Sequence, residues 1–509
     1  MSNTPIVITV LNARYSHTAL GVRYLLANMG ELKSQTILKE FLIQDDLLRT
    51  AEEILSENPV IAALSISIWN AAPTALLIEL LKRIRPEIHI IIGGPEVRWA
   101  EKPLPGADVL VRGEGELVFP DICSRILKGE KVPSVVDGGL PDLENLILPY
   151  DEYSDEDLRQ RIIYVEASRG CPFSCEFCLS SREKTLRSFN QESILEAFDR
   201  LINRGCRGFK FIDRTFNLEI DSCTRILDFF YDRWPREDSG ALVSPAATRQ
   251  VALGKERGDS FFLHFEVVPD RFDERLLKSL SRFPAGGIQL EMGVQTLNPE
   301  IGSLISRRVD SEITARNLKL IKGRTGAHVH ADLIIGLPGE DENGFAESFD
   351  ALRAMHPDEI QIGILKLLPG APIGRHIEEY RLVFNPRPPY DILSSSLISF
   401  PRMQQLKRLA KYYDIFVNSG KFTSAMEIIM DSGGCGSSAF FSFDNFSDWL
   451  FTTTGQDYGI SQQRQYSLVL DFLSSRMGIA RETAGKTLIR DFLKLGNIRY
   501  LPECLRTFQ

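Results

Sequence analysis

Ser168-Arg169-Gly170-Cys171-Pro172-Phe173-Ser174-Cys175-Glu176-Phe177-Cys178-Leu179-Ser180 sets three cysteines on one short loop, separated by three and then two residues. The loop follows an apolar run, 162–166, that reads as a strand. Three thiolates this close can wrap one iron–sulfur cubane, hold three of its irons and leave the fourth without a protein ligand. An open coordination position is where chemistry on a second molecule takes place, as in catalytic zinc sites. The competing readings are a zinc knuckle or three unrelated buried cysteines. Zinc wants a fourth ligand nearby, and His89 and His264 are far off in sequence.

Outward from the loop, apolar runs and amphipathic stretches alternate. Strands are expected at 162–166, 208–212, 261–267, 287–293, 328–335 and 359–365, with helices at 191–204, 222–234 and 311–323 between them. Six such repeats predict a partial (β/α)6 barrel of parallel strands over 161–385, with the chemistry at the carboxyl ends. Toward the amino terminus the same alternation occurs. Strands are expected at 6–11, 60–68, 88–92 and 107–111, and helices at 20–32 and 72–85. This predicts a doubly wound, Rossmann-like parallel sheet over 1–140, whose ligand sits at the strand carboxyl ends. Residues 141–160, rich in Pro, Asp and Glu, read as a linker. Beyond Pro386-Arg387-Pro388-Pro389-Tyr390 the pattern turns mainly helical, so 386–509 is expected to be a helical domain. Its aromatics, Phe440, Phe443, Phe446 and Trp449 among them, read as helical core.

Composition excludes several classes. The 509 residues are 43% hydrophobic and 25% charged, an ordinary globular balance. The net charge of −9 makes nucleic acid an unlikely partner. No apolar run reaches bilayer length, and Met1-Ser2-Asn3-Thr4-Pro5 lacks the basic start of a signal peptide, so a cytoplasmic protein without a membrane span is expected. Of eight cysteines, Cys123, Cys206, Cys223, Cys435 and Cys504 are scattered. In a reducing cell the remaining cluster is a metal site, not part of a disulfide framework.

Arg169-Gly170-Cys171-x-x-x-Cys175-x-Phe177-Cys178 resembles the signature of the radical S-adenosylmethionine (radical SAM) superfamily. Phe209–Asn217, His264-Phe265-Glu266, Gln289–Thr296 and Asp332–Glu340 follow in that family's order. The resemblance implies a 4Fe–4S cluster on Cys171, Cys175 and Cys178, and S-adenosylmethionine as the molecule at the open iron. It further implies reductive cleavage to a 5′-deoxyadenosyl radical. Phe177, Ile335 and Gly336 would line the adenine. Asp213 and Arg214 would meet the methionine end or the ribose. Glu266, Glu291 and Gln295 would meet the ribose hydroxyls or the substrate, and Arg187 the methionine carboxylate.

The amino-terminal part, with Ser65-Ile66-Ser67 after one strand and Gly93-Gly94-Pro95 after the next, is similar to the cobalamin-binding domains that precede many radical SAM modules. Ser16, His17, Ser65, Ser67, Gly93, Gly94, Pro95, Glu96, Gly113 and Glu114 are the cobalamin contacts this implies. Any doubly wound domain is the alternative. The loop Asn12–Gly21 departs from the Asp-x-His-x-x-Gly motif that ligates cobalt. Tyr15 stands where the Asp belongs and the glycine is one place late, so His17 would lack its orienting carboxylate, and His17 and Arg14 read instead as contacts to the cofactor's tail or phosphate, or to the domain interface. Nearly the whole chain resembles a cobalamin-binding radical SAM subgroup with a carboxy-terminal domain of unknown function.

Three functions compete on this reading. The first is methylation of an unactivated carbon of an unknown substrate by a cobalamin-dependent radical SAM enzyme. The second is oxidative cyclisation or rearrangement without methyl transfer. The third is a non-catalytic iron–sulfur or cobalamin carrier, disfavoured because electron carriers usually ligate all four irons. An electron donor such as flavodoxin or ferredoxin would be the partner.

Overall fold

The computed structural model describes residues 5–237, 260–307, 309–431, 438–495 and 501–508, so Cys435 lies outside it. Six strands form the amino-terminal sheet: β1 (Ile6–Asn12), β2 (Thr36–Leu42), β3 (Ile61–Ser65), β4 (His89–Gly93), β5 (Val109–Arg112) and β6 (Val135–Asp137). They pair in the order β2-β1-β3-β4-β5-β6, all parallel. Every residue of β1 is buried. Ile6, Ile8 and Val10 join the core on one face, and Val7 and Leu11 the core on the other. A strand covered on both sides must be apolar throughout, which is why it reads as a continuous run. The strand order reverses between β1 and β3, and ligands of such sheets bind at that switch. Asn70 pins the two loops there. Its Nδ2 donates to the Leu11 and Ser65 carbonyls at 3.0 and 3.1 Å, and its Oδ1 accepts from the Ser67 amide at 2.8 Å.

The second sheet contains β7 (Ile163–Val165), β10 (Gly208–Phe211), β11 (Phe262–Val267), β12 (Ile288–Gln295), β13 (His328–Ile335) and β14 (Glu359–Ile364). They lie side by side in chain order, all parallel, as a partial barrel requires. Burial alternates strictly along β12 and β13. Ile288, Leu290, Met292 and Val294 enter the core beneath the helices. The alternate positions Gln289, Glu291, Gln295, His330 and Asp332 are polar, and they line cavities in the barrel. A closed barrel fills that space with branched apolar layers; here it carries hydrogen-bonding groups. Between β7 and β10, β8 (Ser168–Arg169) and β9 (Arg187–Ser188) pair antiparallel and close the cysteine loop at its base.

Segment 141–160, read as a linker, is a built element. A capping box on Ser154 and Asp157 starts the helix Asp155–Gln160. The Tyr150 hydroxyl meets the Glu166 backbone, and the Tyr153 hydroxyl donates to the Tyr164 carbonyl at 2.8 Å. Arg23, Glu40, Asp157 and Arg161 form a buried ion cluster that ties this segment to the first sheet. The carboxy-terminal part is helical: Phe400–Tyr413, Thr423–Met430, Ala439–Thr454, Gln462–Asp471 and Arg481–Leu493, preceded by a short hairpin, β15 (Val383–Phe384) with β16 (Ile392–Ser394). Phe440, Phe443 and Phe446 are buried core residues, as expected. Among the described residues no helix is long and apolar enough to cross a membrane.

Candidate functional site

Gly170 fixes the start of the cysteine loop. Its φ is +92°, and a Cβ there would lie 2.1 Å from the Thr185 carbonyl oxygen, so only glycine fits. The Cys171 amide then donates to the Glu183 carbonyl at 3.2 Å. On the barrel side the loop is anchored by Glu176, whose carboxylate takes bonds from Arg375, His376 and Ser306. Cys171 and Cys175 are buried and Cys178 is half-buried.

All three cysteines line one cavity of about 220 Å³ at the strand carboxyl ends, together with Phe177, Arg214, Glu266, Glu291 and Gln295. Burial raises the Cys171 thiol, and the neighbouring Cys178 and Cys175 raise it further. Among the described residues no three His, Cys, Asp or Glu side chains converge to hold a single ion. Three thiols on one short loop that share a cavity suit a cubane with separate irons.

Three residues that line this cavity each hold a buried polar atom with no hydrogen bond: Thr215 Oγ1, Arg307 Nε and Asp332 Oδ1, the last 3.4 Å from His330 Nε2. Such groups normally have a partner, so the cavity fits a polar ligand. Two carboxyls in it are driven apart. Burial alone would raise Glu291, but His264 at 2.9 Å and Lys210 at 3.9 Å hold it down at about 2. Asp332 is pushed well above the usual range by burial and by the charges of Glu291 and Glu266. Their surroundings favour the anion at Glu291 and the protonated acid at Asp332.

A second cavity, of about 470 Å³, lies between the two sheets. Ser65, Gly93, Gly94, Pro95, Gly113 and Glu114 line it from the first sheet, and Ser168, Arg169 and Gly170 from the cysteine loop. Gly94 (φ +106°) is required, since a Cβ would sit 2.5 Å from the Ile66 carbonyl oxygen. Small residues on one wall and charged groups on the other fit a large ring with hydrogen-bonding side chains. Arg214 lines both cavities, so the two sites adjoin.

The sequence matches three family descriptions: B12 binding domain over residues 6–123, Radical SAM superfamily over 165–352 and Protein of unknown function (DUF4080) over 378–509. The chain carries a B12-binding domain and a radical SAM domain. The radical SAM domain implies a 4Fe–4S cluster and S-adenosylmethionine, and the B12-binding domain implies cobalamin. This radical SAM chain is 24% identical to the uncharacterized methyltransferase PH0819 of Pyrococcus horikoshii, across 69% of its own length and 76% of that protein's. To the cobalamin-dependent radical SAM methyltransferase TokK of Streptomyces tokunonensis it is 23% identical, across 82% of its length and 62% of TokK's. Two solved structures share its fold. The methyltransferase TsrM from Kitasatospora setae has a TM-score of 0.57 and 16% identity, covering 78% of this chain and 81% of TsrM. The cobalamin-dependent radical enzyme OxsB has a TM-score of 0.58 and 13% identity, covering 99% and 83%.

Several of the radical SAM protein's expected contacts lie elsewhere. Arg187 does not reach the cysteine cavity. It donates to the Pro141 carbonyl at 2.7 Å and pairs with Glu114 of the first sheet. Asp213 is buried and accepts from the Ala167 amide and the Ser168 hydroxyl, holding the root of the loop. Ile335 is fully buried in the core, and Gly336 faces Ile392 and Met403. Of the expected cobalamin contacts, four are outside the second cavity. Ser16 accepts the Ile162 amide through its carbonyl, and His17 pairs with the Tyr164 hydroxyl, so this loop docks on the barrel. Ser67 belongs to the Asn70 turn, and Glu96 takes the Tyr390 hydroxyl.

Arg307 and Asp332 are among the cavity residues that were missed. Arg307 reaches the cavity from the turn after the helix Pro299–Leu304. No local pattern marks it. Asp332 was legible, because it occupies an alternate, cavity-lining position of β13. At the opposite end of the barrel a third cavity, about 920 Å³, forms where His328, His330 and Arg14 face the helix Thr423–Met430 of the carboxy-terminal part.

Proposed function

We propose that this chain methylates an unactivated carbon of a substrate held between the two adjoining cavities. The observation that carries the reading is Arg214, which lines both the three-thiol cavity and the cavity beneath the first sheet. Bound there, the cluster with S-adenosylmethionine supplies a radical able to remove hydrogen from carbon, and cobalamin supplies a methyl group.

The chain's part is to hold, orient and shield. Cys171, Cys175 and Cys178 hold the cluster. Arg307 is better placed than Arg187 for a carboxylate at the open iron: Nη1 lies 3.3 Å from Cys175 Sγ, and its Nε is free. A guanidinium fork matches a carboxylate. Gln295 and Glu266 offer an amide and a carboxylate to hydroxyls, and neutral Asp332 donates where ionised Glu291 accepts. Phe177 gives an apolar face for a base. Arg214, held by Glu266 at 3.4 Å, is the charged group a substrate meets between the cavities. The cytoplasm and a flavodoxin- or ferredoxin-type electron donor belong to this reading.

Relatives that methylate support it. The test is product analysis on anaerobically reconstituted protein. Methyl transfer yields S-adenosylhomocysteine as well as 5′-deoxyadenosine, and replacing all three cysteines by alanine abolishes both. 5′-Deoxyadenosine without S-adenosylhomocysteine would favour rearrangement, and turnover surviving the triple replacement would overturn both enzyme readings.

A further inference from the structure

The loop that carries the three cysteines also builds one wall of the neighbouring cavity. Arg169, two residues before Cys171, sends Nη1 to Glu114 Oε2 at 2.6 Å and to Glu116 Oε1 at 2.8 Å, across the boundary between the sheets. Its Nη2 binds Glu166 at 2.8 Å, and its guanidinium lies 4.5 Å from the Tyr24 ring centre. Arg187, at the other root of the same loop, also pairs with Glu114. Glu183, whose carbonyl receives the Cys171 amide, pairs through its carboxylate with Arg98. Arg182 lies over the Trp99 ring at 4.8 Å.

Apart from the Glu166 pair, each of these side-chain contacts joins a residue of the loop 168–188 to a loop that follows a strand of the first sheet, or to the helix Leu20–Ala27. The side chains of Arg169, Glu114 and Glu116 are only 12%, 12% and 9% exposed. Buried ion pairs of this kind add little net stability, because desolvation offsets their attraction, but breaking one is costly and they fix relative position.

We propose that Arg169 and Arg187 are positioning residues that make the two cofactor sites one thermodynamic unit. Assembly of the cluster orders the loop, the ordered loop completes the second cavity, and cobalamin then binds more tightly. The coupling is reciprocal, as linkage requires. It rests on the assignment of the two cofactors and not on methyl transfer, so it survives if the product is something else.

The test is an anaerobic absorbance titration of the full chain with hydroxocobalamin, with and without a reconstituted cluster. Binding is expected to be at least about tenfold tighter with the cluster, inside the usual range of coupling factors. Arg187 does not line the cavity, so Arg187→Gln should leave the affinity of the cluster-free chain nearly unchanged and shrink the cluster-dependent gain. Arg169→Gln should shrink it further, and Arg187→Lys should restore part of it. Cobalamin should also raise the chelator concentration needed to strip the cluster, and less so in Arg187→Gln. Equal affinities with and without the cluster would overturn the proposal. So would a wild-type ratio in Arg187→Gln and Arg169→Gln variants that keep a full cluster signal by electron-spin resonance.

Discussion

Arg307 Nη1 lies 3.3 Å from the sulfur of Cys175, although 131 residues separate the two in the chain. Nη2 of the same guanidinium donates to the Gly293 carbonyl at the end of β12. One side chain thus joins the cluster loop to the barrel strand whose end faces the radical chemistry, and keeps its Nε free.

Arg307→Lys should therefore keep the cluster but lose the planar fork. The Kd for S-adenosylmethionine is expected to rise at least about tenfold, by 1.4 kcal/mol or more. The electron-spin resonance signal of the reduced cluster should persist. Equilibrium dialysis with labelled S-adenosylmethionine reads the first and spin quantitation the second.

Burial and the charges of Glu291 and Glu266 push Asp332 well above the usual carboxylate range, toward the protonated acid. Asp332→Asn should then bind S-adenosylmethionine within about threefold of wild type, since an amide also donates. Asp332→Ala, which leaves the ligand without a partner, should lose about 1–3 kcal/mol. Equal losses in the two variants would show that the carboxyl acts as an anion.

Gly94→Ala would place a methyl against the Ile66 carbonyl at a φ of +106°. Both strain and collision act at the mouth of the second cavity, so hydroxocobalamin affinity should fall by at least about tenfold while cluster loading is retained. Stability should drop by about 1–3 kcal/mol, measured by chemical denaturation.

Glu40 sits in the buried cluster with Arg23 and Arg161. Burial opposes its charge, but the hydrogen bonds and charge of Arg23, with Asn12 and Arg161, hold it at about 2 against an ordinary 4.5. A carboxylate lowered on folding stabilises above its unfolded value. That contribution, on the order of 3 kcal/mol, is lost as pH falls from about 4.5 towards 2. Glu40→Gln should flatten the stability curve over that window and lower stability at pH 7, read by urea titration at several pH values.

Much of this architecture was legible because burial on two faces leaves a plain signal. The strand His328–Ile335 was bounded correctly, and the six barrel strands stand in the expected order. β2 was not foreseen. It is an edge strand, mostly half-buried, with Lys39 and Glu40 in its middle, so neither alternation nor an apolar run marks it. The cysteines were legible because their spacing alone specifies chemistry. Arg187 was misplaced for the opposite reason: an arginine near a cluster loop has two sheets to face, and only the fold shows that Glu114 lies within reach. Arg307 enters the site from a turn beyond its strand, which no periodicity records. Of the two places open to His17, the cofactor's tail and the domain interface, the structure shows the second: it docks on Tyr164, because the loop after β1 reaches the barrel before it reaches the cavity.

The most direct measurement of the central claim needs no substrate. Anaerobically reconstituted protein, loaded with cobalamin and a strong reductant, is given S-adenosylmethionine with a trideuterated methyl group, and the corrinoid is analysed by mass spectrometry. The account predicts trideuteromethylcobalamin together with an equal amount of S-adenosylhomocysteine, and separately 5′-deoxyadenosine that depends on Cys171, Cys175 and Cys178. 5′-Deoxyadenosine formed with no label on the bound corrinoid and no S-adenosylhomocysteine would contradict it.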